Sequence, residues 1–355
     1  MTADSFAENL LKWYDNHGRH DLPWHHNRTA YRVWVSEIML QQTQVATVTP
    51  YYLAFMERFP NVQSLAEAPV DDVLSHWSGL GYYARARNLQ NAAQTVMDDF
   101  GGTFPDTQEA LESLKGIGRS TAAAIIAQAF GKRAAILDGN VKRVLARYHA
   151  VPGWPGQTSV LKQLWEHAEA HTPSERIRDY TQGIMDLGAM VCTRSRPKCN
   201  DCPLQKGCAA YAREETNLYP GSKPKKAKPE KTIWMVILED QEGRILLERR
   251  PPSGIWGGLW SLPELDPAYG ADELQEACER NLGLDCEEPE LISGFRHTFS
   301  HYHLHIQPAR LGVTGQQGVR DNGQHKWLHR HEALALGLPA PIRTLLTNPE
   351  QATLL

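Results

Sequence analysis

Over the first 190 residues apolar positions recur at intervals of three and four, interrupted by Gly, Pro and Asp, and this spacing predicts helices over 5–17, 31–44, 70–77 and 85–98. Four more are expected between Thr107 and Met190. Beyond residue 231 the texture changes. Short runs of β-branched and aromatic residues at 232–238, 244–248 and 302–306, the second following a turn-like Asp240-Gln241-Glu242-Gly243, predict strands in a mixed α and β region. Between the two textures, residues 219–231 hold three prolines and five lysines and almost nothing apolar, which is the composition of a linker. The expected organisation is therefore a helical domain over 1–218, a linker over 219–231 and an α+β domain over 232–355. No repeat of about 20 to 50 residues is visible, which argues against a solenoid.

A length of 355 residues agrees with two domains, and 41% hydrophobic with 22% charged residues is ordinary globular composition. No run of about 18 apolar residues occurs, and the first ten residues lack a basic segment followed by an apolar one, so no membrane span or signal peptide is expected and a cytoplasmic address follows by default. The formal net charge of -4 disfavours a polyanionic partner at face value, but it averages unlike halves. Residues 1–231 carry 27 basic and 24 acidic side chains, whereas 232–355 carry 10 and 17. Between residues 115 and 147, seven basic residues (Lys115, Arg119, Lys132, Arg133, Lys142, Arg143 and Arg147) face only Asp138. Either solvated helix faces or a local anion-binding surface fits this pattern.

Cys192, Cys199, Cys202 and Cys208 lie in one short stretch with the spacing C-x6-C-x2-C-x5-C. Disulfides are improbable in a reducing compartment, and four thiolates from one loop match a soft metal centre. Only one close pair is present and Pro203 follows Cys202, a pattern that favours a 4Fe-4S cluster over zinc. Cys278 and Cys286 have no partners at ligand spacing and read as ordinary thiols.

Two glycine turns carry further candidates. In Leu114-Lys115-Gly116-Ile117-Gly118-Arg119-Ser120-Thr121-Ala122 the glycines allow close backbone approach, so the turn is either a plain helix–helix connection or a set of amides exposed to a phosphate. No Gly-Lys-Ser/Thr follows, which excludes a nucleotide P-loop. In Ser78-Gly79-Leu80-Gly81-Tyr82-Tyr83, followed by Arg85 and Arg87, the tyrosines are equally readable as core anchors or as wedges for a base stack. Glu37 sits on an expected helix beside Val33, Trp34 and Leu40, so its carboxyl would be desolvated, as a general acid requires. Asp138 opens an amphipathic helix and reads as its N-cap, a role compatible with electrostatic stabilisation.

Hairpin, downstream aspartate and four-cysteine loop stand in the order found in the helix-hairpin-helix DNA glycosylases. The chain resembles the adenine-excising branch of that superfamily through Leu22-Pro23-Trp24, Ser36 to Val45 with Glu37, Gly79 to Asn88, Ile136 to Arg147 and Met185 to Ala189. The resemblance implies an all-α helix-hairpin-helix glycosylase domain with a hairpin at 114–122 and a 4Fe-4S loop at 192–208, joined by the linker to a Nudix-like domain. It implies a monomeric enzyme that excises adenine opposite 8-oxoguanine or guanine from double-stranded DNA. Glu37 would protonate the flipped base, Asp138 would stabilise the oxocarbenium-like sugar and Asn140 would orient Asp138. Trp24, Arg19 and Gln182 would line the adenine pocket. DNA contacts would come from Gln41, Gln42, Leu80, Tyr82, Gly116, Gly118, Ser120 and Lys142. Ser120 stands where the related lyases carry a lysine, so a monofunctional enzyme without Schiff-base chemistry is expected.

The second domain resembles MutT-type Nudix domains through Pro251 to Trp260 and Glu264, but Glu276, Ala277, Arg280 and Asn281 occupy the places of its magnesium-binding helix, so pyrophosphohydrolase activity is not expected. Phe299, Ser300 and His301 match the loop that reads 8-oxoguanine. His301, His303 and His305 alternate along an expected strand, where a polar sheet face is a simpler reading than a metal site.

Overall fold

The structure is a computed structural model that describes residues 3–224, 227–316 and 323–347. It divides into two compact units, residues 1–67 with 88–225, and residues 68–87 with 226–355.

Helices dominate the chain to residue 212. They are α1 (Ala3–His17), α2 (Ala30–Leu40), α3 (Val45–Arg58), α4 (Val62–Ala66), α5 (Val70–Trp77), α6 (Ala84–Phe100), α7 (Gln108–Ser113), α8 (Arg119–Ile125), α9 (Gly139–Tyr148), α10 (Thr158–His171), α11 (Ile177–Asp186) and the short α12 (Ala209–Ala212). Phe6, Leu10, Trp34, Met39, Tyr52, Phe55, Phe59, Leu65 and Leu89 are fully buried in the first unit. Those apolar faces explain why these helices need one another rather than intrinsic propensity alone. The helix expected over 31–44 stops at Leu40, because the chain turns at 41–44 with Gln42 at φ +61° before Gln44 caps α3. Helices α8 and α11 each continue into a π-helical turn, at 126–130 and 187–191, which shifts the helix register beside the candidate site.

The second unit contains a nine-stranded mixed sheet: β1 (Glu230–Glu239), β2 (Arg244–Arg249), β3 (Trp260–Ser261), β4 (Glu264–Leu265), β5 (Leu284–Cys286), β6 (Glu290–Leu291), β7 (Phe295–Thr298), β8 (His303–Gln316) and β9 (His325–His329). Strands β1 and β8 pair in parallel, Trp234 opposite Gln307, and the other pairs are antiparallel. As the central strand of a two-sided sheet, β1 buries five consecutive residues, Trp234 to Leu238. One face packs on α13 (Leu274–Leu282) through Trp234, Val236, Leu238, Leu274 and Ala277, and α14 (Arg330–Ala335) and α15 (Ala340–Thr347) complete the unit.

Residues 68–87 belong to this unit for identifiable reasons. The Ser78 and Tyr83 hydroxyls donate to the Leu338 carbonyl, Arg249 pairs with Asp71 at 2.7 Å, and Arg87 donates to the Gly257 carbonyl. Leu74 packs so closely on Gly337 that a Cβ there would lie 3.0 Å from it. Among the described residues no helix is long and apolar enough to cross a membrane.

Candidate active site

A cleft of about 1960 Å³, counted with its open mouth, lies within the first unit and is lined by Glu37, Asp138, Asn140, Arg19, Trp24 and Gln182, together with Gln41, Gln42 and Ser120. Glu37 is carried by α2, whose Val33 and Trp34 are buried on the core side. Its carboxyl reaches the cleft, and no protein hydrogen bond to it occurs among the described residues. Burial first, and the facing charge of Asp138 second, push its pKa up to about 8. A glutamic acid in this state holds its proton at neutral pH.

Asp138 caps α9, accepting from the Val141 amide at 2.8 Å and from Asn140 Nδ2 at 3.1 Å. Burial raises its pKa, while those two donors and the Arg143 charge oppose the rise. The Asp138 charge is one cause of the Glu37 shift, so the two carboxyls titrate as a coupled pair. Asn140 is itself fixed, its Oδ1 accepting from Arg143 Nη2 at 2.9 Å. Gly188, in the π-helical turn after α11, packs against it: a Cβ at 188 would stand 2.6 Å from Asn140 Cβ and 3.1 Å from its Cα. Glycine is therefore required there for α9 and the end of α11 to meet.

The cleft wall near Trp24 rests on a polar chain. Asp186, fully buried, accepts from the Arg19 amide at 2.7 Å, from the Arg19 guanidinium at 2.6 and 2.9 Å, and from Gln182 Nε2 at 2.7 Å. The Gln182 carbonyl oxygen meets His25 Nε2 at 3.0 Å, and burial lowers the His25 pKa, keeping the ring neutral. Arg19 and Gln182 thus have set orientations. The sequence reading missed both Asp186 and His25 as participants; an acid four residues after Gln182 on an otherwise apolar helix end was the available signal.

Ser120 uses its hydroxyl to accept from the Leu137 amide at 2.9 Å, anchoring the segment that leads into Asp138. Among the described residues no lysine lines the cleft. In the hairpin before α8, Gly116 takes φ +88°, whereas Gly118 has an ordinary φ of −99° and open space where a Cβ would be. Nothing in the protein demands glycine at 118, which leaves room for a close-approaching ligand.

Five of the seven basic residues counted between 115 and 147 have structural work. Arg119 pairs with Glu169 at 3.0 Å, Arg133 with Glu169 at 3.6 Å and Lys132 with Asp106 at 2.5 Å. Arg143 donates to the Cys192 and Gly188 carbonyls. Arg147 is buried and donates to the carbonyls of Thr193, Arg194, Thr216 and Tyr219. Lys115 and Lys142 carry no ion pair among the described residues.

The four clustered cysteines border one cavity of about 420 Å³, with Arg147 Nη1 3.4 Å from Cys192 Sγ. Burial pushes the Cys202 thiol up to about 12 and raises Cys199 and Cys208, so anionic sulfur there needs a cationic partner. Among the described residues no three His, Cys, Asp or Glu side chains close around a point for a single metal ion.

In the second unit the paired tyrosines divide: Tyr83 is 8% exposed and anchored, whereas Tyr82 is 50% exposed at φ +49°. Leu80, expected beside it as a DNA contact, is 6% exposed, because it packs into the unit. Phe299, Ser300 and His301 form the tip between β7 and β8, with the Phe299 ring 5.4 Å from Trp256 and 4.8 Å from Tyr302. Of the alternating histidines, His303 and His305 share a face of β8, where His303 Nδ1 meets Thr298 Oγ1 at 2.9 Å and His305 pairs with Glu230 at 3.2 Å, whereas His301 precedes the strand.

Residues 35–170 match the model of the HhH-GPD superfamily base excision DNA repair proteins, and residues 233–348 match the NUDIX domain. The chain is 39% identical to the adenine DNA glycosylase of Buchnera aphidicola subsp. Acyrthosiphon pisum (strain APS), over 98% of each chain. It is 38% identical to that of Homo sapiens, over 89% of this chain and 68% of the human one. Among solved structures, a thermostable thymine-DNA glycosylase superposes with TM-score 0.53 at 31% identity, covering 59% of this chain and 97% of that one. Endonuclease III in a non-covalent DNA complex gives TM-score 0.50 at 21% identity, over 60% and 98%.

Proposed function

The chain belongs to the adenine DNA glycosylases, enzymes of base excision repair, and from that premise we propose that it removes adenine paired with 8-oxoguanine or guanine in double-stranded DNA by a monofunctional mechanism. The observation that carries this reading is the pairing of two unlike carboxyls in one cleft, Glu37 with its pKa pushed up to about 8 by burial and Asp138 held by the Val141 amide and Asn140. Adenine is a poor leaving anion, so Glu37 gives its proton to N7 of the flipped base as the N-glycosidic bond stretches. Asp138, held by Val141 and Asn140, faces the cationic sugar that develops. Trp24, Arg19 and Gln182 hold the base, and a cleft lined by no lysine among the described residues supports hydrolysis rather than a Schiff base.

Phosphates would meet the Gly116 and Gly118 turn and Lys142, while Gln41, Gln42 and Tyr82 would contact the duplex. In the second unit, Phe299, Ser300 and His301 would read 8-oxoguanine, with Trp256 and Tyr302 buttressing Phe299. Cys192, Cys199, Cys202 and Cys208 fit a 4Fe-4S cluster: all four donors are sulfur, they line one cavity, and Arg147 offers positive charge beside Cys192. Bound there, the cluster would cross-link the loop, and elemental analysis should find iron and sulfide rather than zinc.

Duplexes carrying adenine opposite 8-oxoguanine or guanine, incubated with the protein and then treated with hot alkali, should break at the adenine and stay intact without alkali. Cleavage only at thymine opposite guanine would overturn the choice of base, and breakage without alkali would overturn the monofunctional mechanism.

A further inference from the structure

The second unit brings together two cysteines that no part of the repair chemistry uses. Helix α13 ends at Leu282, Gly283 reverses the chain at φ +65°, and β5 returns along the helix. Cys278 on α13 is wholly buried, and Cys286 at the end of β5 is half-buried against the same apolar cluster. Gln275 Nε2 donates to the Cys286 carbonyl at 3.0 Å, tying the strand end to the helix, and the β5–β8 register shifts between Asp285 and Cys286. We propose that Cys278 and Cys286 form an oxidation site, a dithiol that a hydroperoxide converts into a reversible intramolecular disulfide.

The two thiols are unlike, as such a step requires. The interaction between them lowers the pKa of Cys286 and, with burial, raises that of Cys278, while Cys286 Sγ also reaches the Leu284 carbonyl at 3.6 Å. Cys286, the more exposed of the two, is the one a peroxide reaches and so the attacking sulfur. Its sulfur forms a bond to one peroxide oxygen, the O–O bond breaks, and the departing oxygen leaves as water after taking a proton. The sulfenic acid on Cys286 is then attacked by the Cys278 sulfur: the S–S bond forms, the S–O bond breaks, and the oxygen leaves as water with the Cys278 proton. Two electrons pass from the sulfur pair to the peroxide, which is the only co-reactant. Disulfides in reducing compartments are typically transient ones of this kind.

Tryptic cleavage after Arg280 puts the two cysteines on separate peptides, one ending at Arg280 and one beginning at Asn281. The full-length protein is treated with hydrogen peroxide, free thiols are alkylated, and the digest is run without reductant. The expected product is one pair of peptides joined through Cys278 and Cys286, released by dithiothreitol and formed about tenfold faster in the native protein than in urea. Cys278→Ser should abolish the joined pair and leave Cys286 as a trappable sulfenic acid. Separate alkylated peptides, Cys286 oxidised to sulfinic acid without a joined pair, or a linkage formed no faster in the native state than in urea would each overturn the proposal.

Discussion

Both units push a glutamate upward by burial, and they put it to opposite uses. In the second, Glu264 is held in a close ion pair with Arg250, so its charge is neutralised where it sits. In the first, Glu37 has no cation beside it among the described residues and faces a second carboxylate, so the proton itself is the neutraliser. A buried acid is available for chemistry when nothing else balances its charge. The same contrast separates α13, where Glu276 and Arg280 form an exposed pair at 3.8 Å and Ala277 is buried, from the cleft, where Asp138, Asn140, Arg19 and Gln182 are held by neighbours and the Glu37 carboxyl is left to its proton. One unit is arranged around a proton, the other around an aromatic loop tip.

The strongest way to break this contrast is to remove the proton. Glu37→Gln keeps the shape of the side chain and should retain mismatch binding, while single-turnover adenine release falls by about 100-fold or more. Retained turnover would take Glu37 out of its role. Gly188→Ala should act next most strongly, because a Cβ 2.6 Å from Asn140 must displace the residue that orients Asp138. About 1–3 kcal/mol of destabilisation is expected from the overpacking, with a lower kcat and KM little changed. Normal kcat would mean that Asn140 does not position Asp138.

A smaller effect sharpens the contrast through stability. The pKa of Glu37 is raised in the folded state, so its contribution is fully present below its unfolded value and is lost as pH rises through the folded one. Glu37→Gln needs no proton. Its stability advantage over the native protein should be absent below about pH 4, grow by about 1.4 kcal/mol per unit to roughly 3–4 kcal/mol by pH 7 and level off above about 8. Denaturant titrations at several pH values would measure it, and a difference independent of pH would contradict the shift. The smallest effect is expected in the second unit. Phe299→Ala should lower the preference for 8-oxoguanine over guanine by about tenfold, roughly 1.4 kcal/mol, without slowing excision opposite guanine. An equal loss against both partners would take lesion reading away from this loop.

Glu37 and Asp138 were legible because each stands in a local pattern, one among helix-spaced apolar residues and the other at a helix start. Elsewhere the decisive interactions are long-range. Residues 68–87 join the second unit through Ser78 and Tyr83 bonding to Leu338, some 260 positions away, which no local spacing records. The helix expected over 31–44 ran past Leu40 because the turn that ends it uses neither Gly nor Pro and sets Gln42 at positive φ, a local rule broken beside the cleft. The basic count around Asp138 overstates the surface charge by one residue for a related reason: Arg147 is drawn inward by four carbonyls and a sulfur, while Lys115, Arg119, Lys132 and Arg133 stay exposed.

The central claim is that Glu37 carries its proton into neutral solution. The second-order rate constant for single-turnover adenine excision, measured against pH, reports the free enzyme and tests this directly. The account predicts a rate that falls tenfold per unit above a midpoint near pH 8, with a second fall on the acid side as Asp138 protonates. A decline that begins near the ordinary carboxylate range of about pH 4 to 5, or no alkaline decline at all, would contradict it.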